Sequence, residues 1–174
     1  INAQGLLETI NAGTATSSGF EGQAIWNATN ALSLIGTYGY NKARFDDSFN
    51  GRPAQFAGNS FRLSPDHSVS LAARWVADLG GFGTLSVLPS YTWQSEVFFD
   101  NDNDPIESED SYGLLNLSVK LTSPTERWTA EIYGSNLTDE DYIIDAGNTG
   151  GSFGIPTFIA GPPLFWGVRL SASY

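Results

Sequence analysis

The chain has 174 residues, long enough for one domain with a substantial core, and length alone suggests no second one. It carries 8 Lys plus Arg against 19 Asp plus Glu, a formal charge of −11. Phosphate binding needs a basic stripe and none is present, which excludes nucleic acid as a partner, while the lack of cysteine excludes disulfide scaffolds and thiolate metal sites.

The first residues, "INAQGLLETINAG", have neither a basic n-region nor an apolar h-region, so they do not form a signal peptide. With no methionine anywhere, the expectation is a chain whose leader has been removed or a piece of something longer. No stretch approaches the roughly 18 to 20 apolar residues of a membrane helix. A membrane strand needs only about 10 alternating residues, a signal that hydropathy windows miss.

Alternation begins with a weak strand near 2–10 and becomes clear at 19–28, where Phe20, Gly22, Ala24 and Trp26 oppose Glu21, Gln23 and Asn27. Segment 31–42 sets Leu32, Leu34, Gly36, Tyr38 and Tyr40 on one face. Segment 67–77 does the same with Val69, Leu71, Ala73 and Trp75. In 84–98, Leu85, Val87, Tyr91 and Trp93 alternate with Ser and Thr. Leu115, Leu117, Val119 and Leu121 follow in 113–122, and Trp128, Ala130 and Ile132 in 127–136. The last segment, 164–174, reads "LFWGVRLSASY", with Leu164, Trp166, Val168, Leu170 and Tyr174 on its dry face and Phe165 the bulky exception. About eight strands and no convincing helix result.

The connections alternate as well. "NATN", "DLGGFG" and "TSPTER" are tight reversals rich in Gly, Pro, Asn and Asp. Long connections run over 42–66, 99–111 and 137–163. Short turns at one end and long loops at the other are the profile of a transmembrane antiparallel β-barrel. A soluble β-sandwich would share the alternation, but its second face would show many Lys and Glu. Here that face is Ser, Thr, Asn, Gln and Gly, as in a hydrated lumen. Trp26, Tyr38, Tyr40, Trp75, Trp93, Trp128, Trp166 and Tyr174 fall near strand ends, where amphipathic rings favour a lipid–water interface.

The stretch "RWTAEIYGSNLTDEDY" (127–142), followed by "GIPTFIAGPPLFWGVRLSASY", resembles the last two strands of TonB-dependent receptors, the active-transport barrels of Gram-negative outer membranes. "INAGTATSSGFEGQAIWNATNALSLIGTYGYNKARF" and "LLNLSVKL" resemble the same family's barrel. Leu164 departs from the pattern, which commonly has Arg after the prolines. The resemblance implies that 1–174 is the C-terminal portion of a 22-stranded barrel, about eight strands of its wall, with plug and energy-coupling segment absent from this chain. It implies a transporter rather than an enzyme, with no cofactor, importing a scarce nutrient with energy from the TonB complex. The ferric siderophore is the family's default ligand; cobalamin and oligosaccharides stay open. It also implies outer-membrane lipid, lipopolysaccharide and the assembly machinery as partners, the last reading a terminal strand marked here by Trp166, Val168, Leu170 and Tyr174. The family places ligand contacts on extracellular loops, which points to Phe49, Arg52, Phe56 and Phe61 in the first and Phe153, Phe158 and Ile159 in the last. Loop-on-loop packing is the other role open to them.

Local chemistry accounts for some of these residues. Asn136, Thr138 and Asp139 suit a strand leaving the sheet, because their side chains bond nearby backbone, and Gly161-Pro162-Pro163 is stiff backbone unable to enter a ladder. The loop "DNDNDPIESED" begins with Asp100, Asp102 and Asp104 in calcium-loop spacing, but Pro105 stands where such a loop requires Gly and Ser111 where it requires a bidentate acid. A solvated acidic loop is the simpler reading. Glu107 and Glu109 as a glycosidase pair lack a recognisable pocket, and His67, beside Asp66 and Ser68, cannot form a triad with strand neighbours that point to opposite faces. Two alternatives remain: a stand-alone eight-stranded barrel with a structural or adhesive role, and a soluble acidic binding module or glycan-active enzyme.

Overall fold

The computed structural model describes residues 14–49, 52–53, 56–147, 155 and 157–173. Seven long strands form one sheet: β1 (Ala15–Asn27), β2 (Leu32–Phe45), β3 (His67–Asp78), β4 (Thr84–Gln94), β5 (Tyr112–Thr122), β6 (Trp128–Ser135) and β7 (Phe165–Ala172). Each pairs antiparallel with its predecessor, so spatial order equals chain order. The expected strand near 2–10 lies outside the described residues. No helix among those residues is long and apolar enough to cross a membrane, which says nothing of strands.

The turns are built from the residues that the sequence placed there. Thr29 Oγ1 accepts from the N–H groups of Ala31 and Leu32 at 3.1 and 3.0 Å, closing the β1–β2 reversal. Asp78 accepts from Gly80 N–H at 2.8 Å before the 3-10 turn Gly80–Phe82. Gly83 has φ 106, and a Cβ there would collide with the Thr122 carbonyl, so both backbone and space require glycine. In the β5–β6 turn the buried Ser123 accepts from Trp128 N–H at 3.1 Å.

Register then merges the strand patterns into two faces, because directly paired residues share a side. One row runs Leu32, Trp75, Val87, Val119, Ile132, Val168 across six strands. Another runs Ala24, Gly36, Leu71, Tyr91, Leu115. The opposite face reads Glu21, Gly39, Ser68, Gln94, Tyr112, then Gln23, Thr37, Ser70, Thr92, Leu114. Trp26, Trp75 and Trp128 edge the apolar face at the turn end, and Phe20, Tyr40, Trp93 and Trp166 at the loop end. From Leu32 to Tyr40 along β2 is roughly 27 Å at the usual strand rise, close to the apolar band of about 25 Å on membrane barrels.

Burial decides between sandwich and barrel. A sandwich would seal this face under a second sheet. Instead Trp26 is 64% exposed, Val168 58% and Leu170 76%, and no large side chain among the described residues is fully buried. The buried apolar cluster of Val97, Phe99 and Ala146 lies in the loops, with Ile143 against it. The sheet has no core of its own, so its apolar face is built for lipid.

Three strand boundaries differ from the sequence reading by three residues or more. β1 begins at Ala15 instead of 19. β2 continues past 42 to Phe45. The segment 84–98 breaks after Gln94, because Ser95 closes the ladder: its N–H donates to His67 O at 3.0 Å and its hydroxyl accepts from His67 N–H at 3.1 Å. Val97–Phe98 then pairs instead with Ser108–Glu109. Within β4, Pro89 has no N–H, and the β3–β4 ladder skips between Ala72/Ser90 and Trp75/Val87.

The two faces should respond oppositely to charge. Leu117→Arg, at mid-height on the apolar face, is expected to cost about 2–4 kcal/mol, and Ser90→Arg on the polar face far less. Denaturant unfolding of the barrel in lipid vesicles measures both, and equal costs would contradict the assignment of faces.

Candidate functional site: the loop cluster and the polar wall

All three long connections emerge at one end of the sheet, where they interlock. The base of the last loop shows why "NLTDEDY" has the residues it has. Asn136 is 3% exposed, with φ 49, in the left-handed region that asparagine tolerates better than most residues. Its N–H donates to Asn116 Oδ1 at 3.1 Å. Its Nδ2 donates to the carbonyls of Glu140 and Pro162 at 2.8 and 3.2 Å, and its Oδ1 accepts from Glu140 N–H at 2.8 Å. Asp139 accepts from Leu164 N–H at 3.3 Å. Tyr142 stacks on Tyr112 with ring centroids 4.6 Å apart, and it fills the space over Gly161, where an added Cβ would collide with the ring. The motif is a clasp joining the end of β6 to the start of β7. No ligand chemistry is needed to explain it.

Higher up, the loops hold one another. Leu63 N–H donates to Phe98 O at 2.9 Å, and Asn59 Nδ2 to Asn101 O at 2.9 Å. Asn103 accepts from Ser60 N–H at 2.7 Å and donates to Ser60 O at 3.1 Å. Arg62 pairs with Asp145 at 2.8 Å, and Glu109 accepts from Ile143 N–H at 2.8 Å. A recess of about 450 Å³ opens at the base of this cluster, lined by Glu109, Glu140, Tyr142, Ile143 and Pro163 among others. Below it, the polar wall presents hydroxyls and amides of Gln23, Thr37, Ser70, Thr92 and Gln94, with few charges.

The sequence-predicted ligand residues fall into three groups. Phe56 and Phe61 pack on Phe45 with ring centroids 5.4 and 4.6 Å away, so both take part in loop packing. Phe158 and Ile159 sit on the short strand Phe158–Ala160, paired with Ile143–Ala146, and are 49% and 51% exposed. Phe49 and Arg52 are backbone partners in the hairpin of Ser48–Phe49 with Arg52–Pro53; Phe153 lies outside the described residues. Of the terminal-strand residues, Trp166, Val168 and Leu170 point outward with the band, and Tyr174 lies outside the described residues.

Asp100, Asp102 and Asp104 are not gathered around an ion site: among the described residues no group of acids, His and Cys is placed to hold a metal. Asp100 accepts from Asn101 N–H at 2.6 Å, and Asp104 caps the 3-10 turn Pro105–Glu107 by accepting from Ile106 N–H at 2.9 Å. Burial, reinforced by the charges of Asp100, Asp102 and Asp104, raises the Glu107 carboxyl above its ordinary pKa. Sequence reasoning missed Phe45, Asn59, Asn101, Asn103 and the Arg62–Asp145 pair. Nothing local marks them, since their partners are remote in sequence.

An antiparallel meander with a lipid-facing band, aromatic edges, a polar inner wall and interlocked loops defines the wall of an outer-membrane type of β-barrel. The family model for the TonB dependent receptor-like β-barrel matches residues 1–137, and the chain belongs to that family, whose members are outer-membrane transport receptors of Gram-negative bacteria and not enzymes. The chain is similar to the ferrioxamine receptor of Yersinia enterocolitica, 28% identical over 141 residues, covering 77% of this chain and 18% of that receptor. In structure it is similar to the ferric yersiniabactin uptake receptor of Yersinia pestis, with TM-score 0.82 and 21% identity over 94% of this chain and 24% of that one. The ferric preacinetobactin receptor of Acinetobacter baumannii follows at TM-score 0.75 and 18% identity, over 94% of this chain and 23% of that one. These structural likenesses show the fold. The chain thus spans under a quarter of the length of these relatives.

Two outcomes follow from the loop chemistry. Asn136→Ala should remove the clasp at a cost of roughly 2–3 kcal/mol, read as faster hydrogen exchange in 137–147 and 157–164 with the strands unchanged. The raised Glu107 carboxyl means that the folded loop binds a proton more readily than the unfolded one, so loop stability falls as pH rises through the Glu107 titration. Glu107→Gln should flatten that dependence in exchange measurements on residues 97–110, and an unchanged profile would contradict it.

Proposed function

We propose that this chain is part of the barrel wall of an outer-membrane receptor that imports a ferric siderophore, energised through TonB. The observation that carries the reading is the pairing of a lipid-facing band with a polar inner wall roofed by interlocked loops, in a chain belonging to the TonB-dependent receptor family. The ligands for which its relatives are named, ferrioxamine, ferric yersiniabactin and ferric preacinetobactin, support the ligand class. On this reading the intact barrel has 22 strands around a plug, and TonB contacts a region outside this chain. Ligand reaches the barrel between the loops, where Phe158 and Ile159 offer exposed apolar surface, Phe49, Arg52 and Phe153 share the same loops, and Phe56 and Phe61 act by holding the first loop in shape. The assembly machinery reads Trp166, Val168, Leu170 and Tyr174 on the terminal strand, and outer-membrane lipid and lipopolysaccharide cover the band.

Uptake of radiolabelled ferric siderophores by iron-starved cells, with and without the gene, tests the transport reading. Loss of one chelate's uptake, restored by the gene and abolished with tonB deleted, is expected. Unchanged iron uptake with loss of cobalamin or oligosaccharide uptake would replace the ligand class. Removing Tyr174 should lower the amount of folded barrel in the outer membrane severalfold, measured by heat-modifiable mobility.

A further inference from the structure

The terminal strand β7 pairs with β6 across residues 136–164, the longest connection between neighbours in the sheet. A tight turn dictates the register of the strands it joins, and a connection of that length cannot. The clasp at Asn136 ties the two strands at their loop ends. Along the strands, something else must hold Trp166, Val168 and Leu170 at their levels. A slip of one residue would turn the apolar side of β7 into the lumen, so slips of two residues, which keep the faces, are the competing states.

The inner face of this hairpin carries a network that distinguishes those states. Glu131 stands directly opposite Arg169, and Tyr133 directly opposite Gly167. Arg169 Nη1 donates to Glu131 Oε2 at 2.7 Å, and Ser118 Oγ on β5 donates to Glu131 Oε1 at 2.7 Å. Among the described residues this is the one ion pair whose partners both lie in the seven-stranded sheet. The guanidinium carbon of Arg169 also lies 5.0 Å from the centroid of the Tyr133 ring. That ring lies over the bare backbone of Gly167, where an added Cβ would stand 2.8 Å from Oη and 2.9 Å from Cζ. Gly167 is the sole glycine of β7. Slipping β7 by two residues in either sense puts Phe165 or Arg169 opposite Tyr133, so the ring loses the position that leaves it room. The same slip sets Glu131 opposite Gly167 or Ser171 and stretches its contact with Arg169 to a diagonal.

We propose that Tyr133, Gly167, Glu131 and Arg169 form a register lock for the terminal strand. The ring seats on the glycine, and the ion pair closes over the ring. Ser118 fixes Glu131 from the far side, so the lock ties β7 to β5 as well as to β6. Its reach exceeds this hairpin, because the stagger of every strand pair adds to the shear that a closed barrel must match. The inference goes beyond the transport reading and depends on neither the ligand nor the energy source.

Disulfide trapping in the full-length protein, in outer membranes, tests the lock. This chain has no cysteine, so no thiol of its own competes with an introduced pair. Thr129→Cys with Ser171→Cys, directly opposite in the native register, should crosslink on oxidation. Thr129→Cys with Ser173→Cys, and Arg127→Cys with Ser171→Cys, meet only after a slip of two residues. They should give less than about a tenth of that yield, because a disulfide does not span Cα atoms more than about 7 Å apart. With the clasp removed by Asn136→Ala, the native crosslink should persist. Adding Gly167→Val and Glu131→Gln should lower it severalfold and raise one slipped pair to match. In the same Asn136→Ala background, Glu131→Arg should lower the native crosslink, and Glu131→Arg with Arg169→Glu should restore most of it. Heat-modifiable mobility identifies the folded fraction of each variant. A native crosslink unchanged in the triple variant would overturn the lock. So would a loss that neither slipped pair gains, which is fraying and not slippage. If the triple variant does not fold, the charge swap decides alone: a swapped protein that crosslinks no better than Glu131→Arg overturns the proposal.

Discussion

In the apolar part of a membrane an unpaired backbone amide has no water to turn to, and the whole architecture follows from that. A strand can satisfy its N–H and C=O groups only through its neighbours, so a continuous ladder is obligatory. Once the ladder runs from β1 to β7, side chains must alternate between lipid and lumen. The rows from Leu32 to Val168 and from Glu21 to Tyr112 are two sides of the same constraint. Even the skip at Pro89 obeys it, since the missing donor falls where the β3–β4 ladder is interrupted.

This explains how much of the fold was legible in the sequence. Alternation of period two depends on local residues alone, so the dry faces of 67–77 or 113–122 could be read directly. Turn chemistry at Thr29 and Asp78 is local too. What failed was the end of a strand set by a distant partner: nothing in "YTWQSEVFF" reveals that Ser95 closes the ladder on His67 while Val97 turns to a second hairpin. The loops were opaque for the same reason. Asn103 meets Ser60, and Arg62 meets Asp145, and side chains so far apart in sequence leave no periodic trace.

The clasp at Asn136 lies between these extremes. Its residue types announced backbone-bonding side chains, and the hydrogen bond to Glu140 N–H is of that local kind. The bond to the Pro162 carbonyl spans the entire last loop and emerges only from the fold. The motif is a structural fastening, as its backbone-bonding residues suggest.

The Arg62–Asp145 pair has a consequence for the order of folding. In a meander every strand pairs with the one made just before it, so the sheet can grow by successive hairpins, each closing a short loop at small entropic cost. The ion pair cannot join this sequence early, because its carboxylate arrives on the chain only after β6. Until then the first long loop has only partial anchorage. The latch across the top is therefore a late event that records completion of the wall beneath it, and a wall stalled before the last hairpin would leave its extracellular roof unfastened.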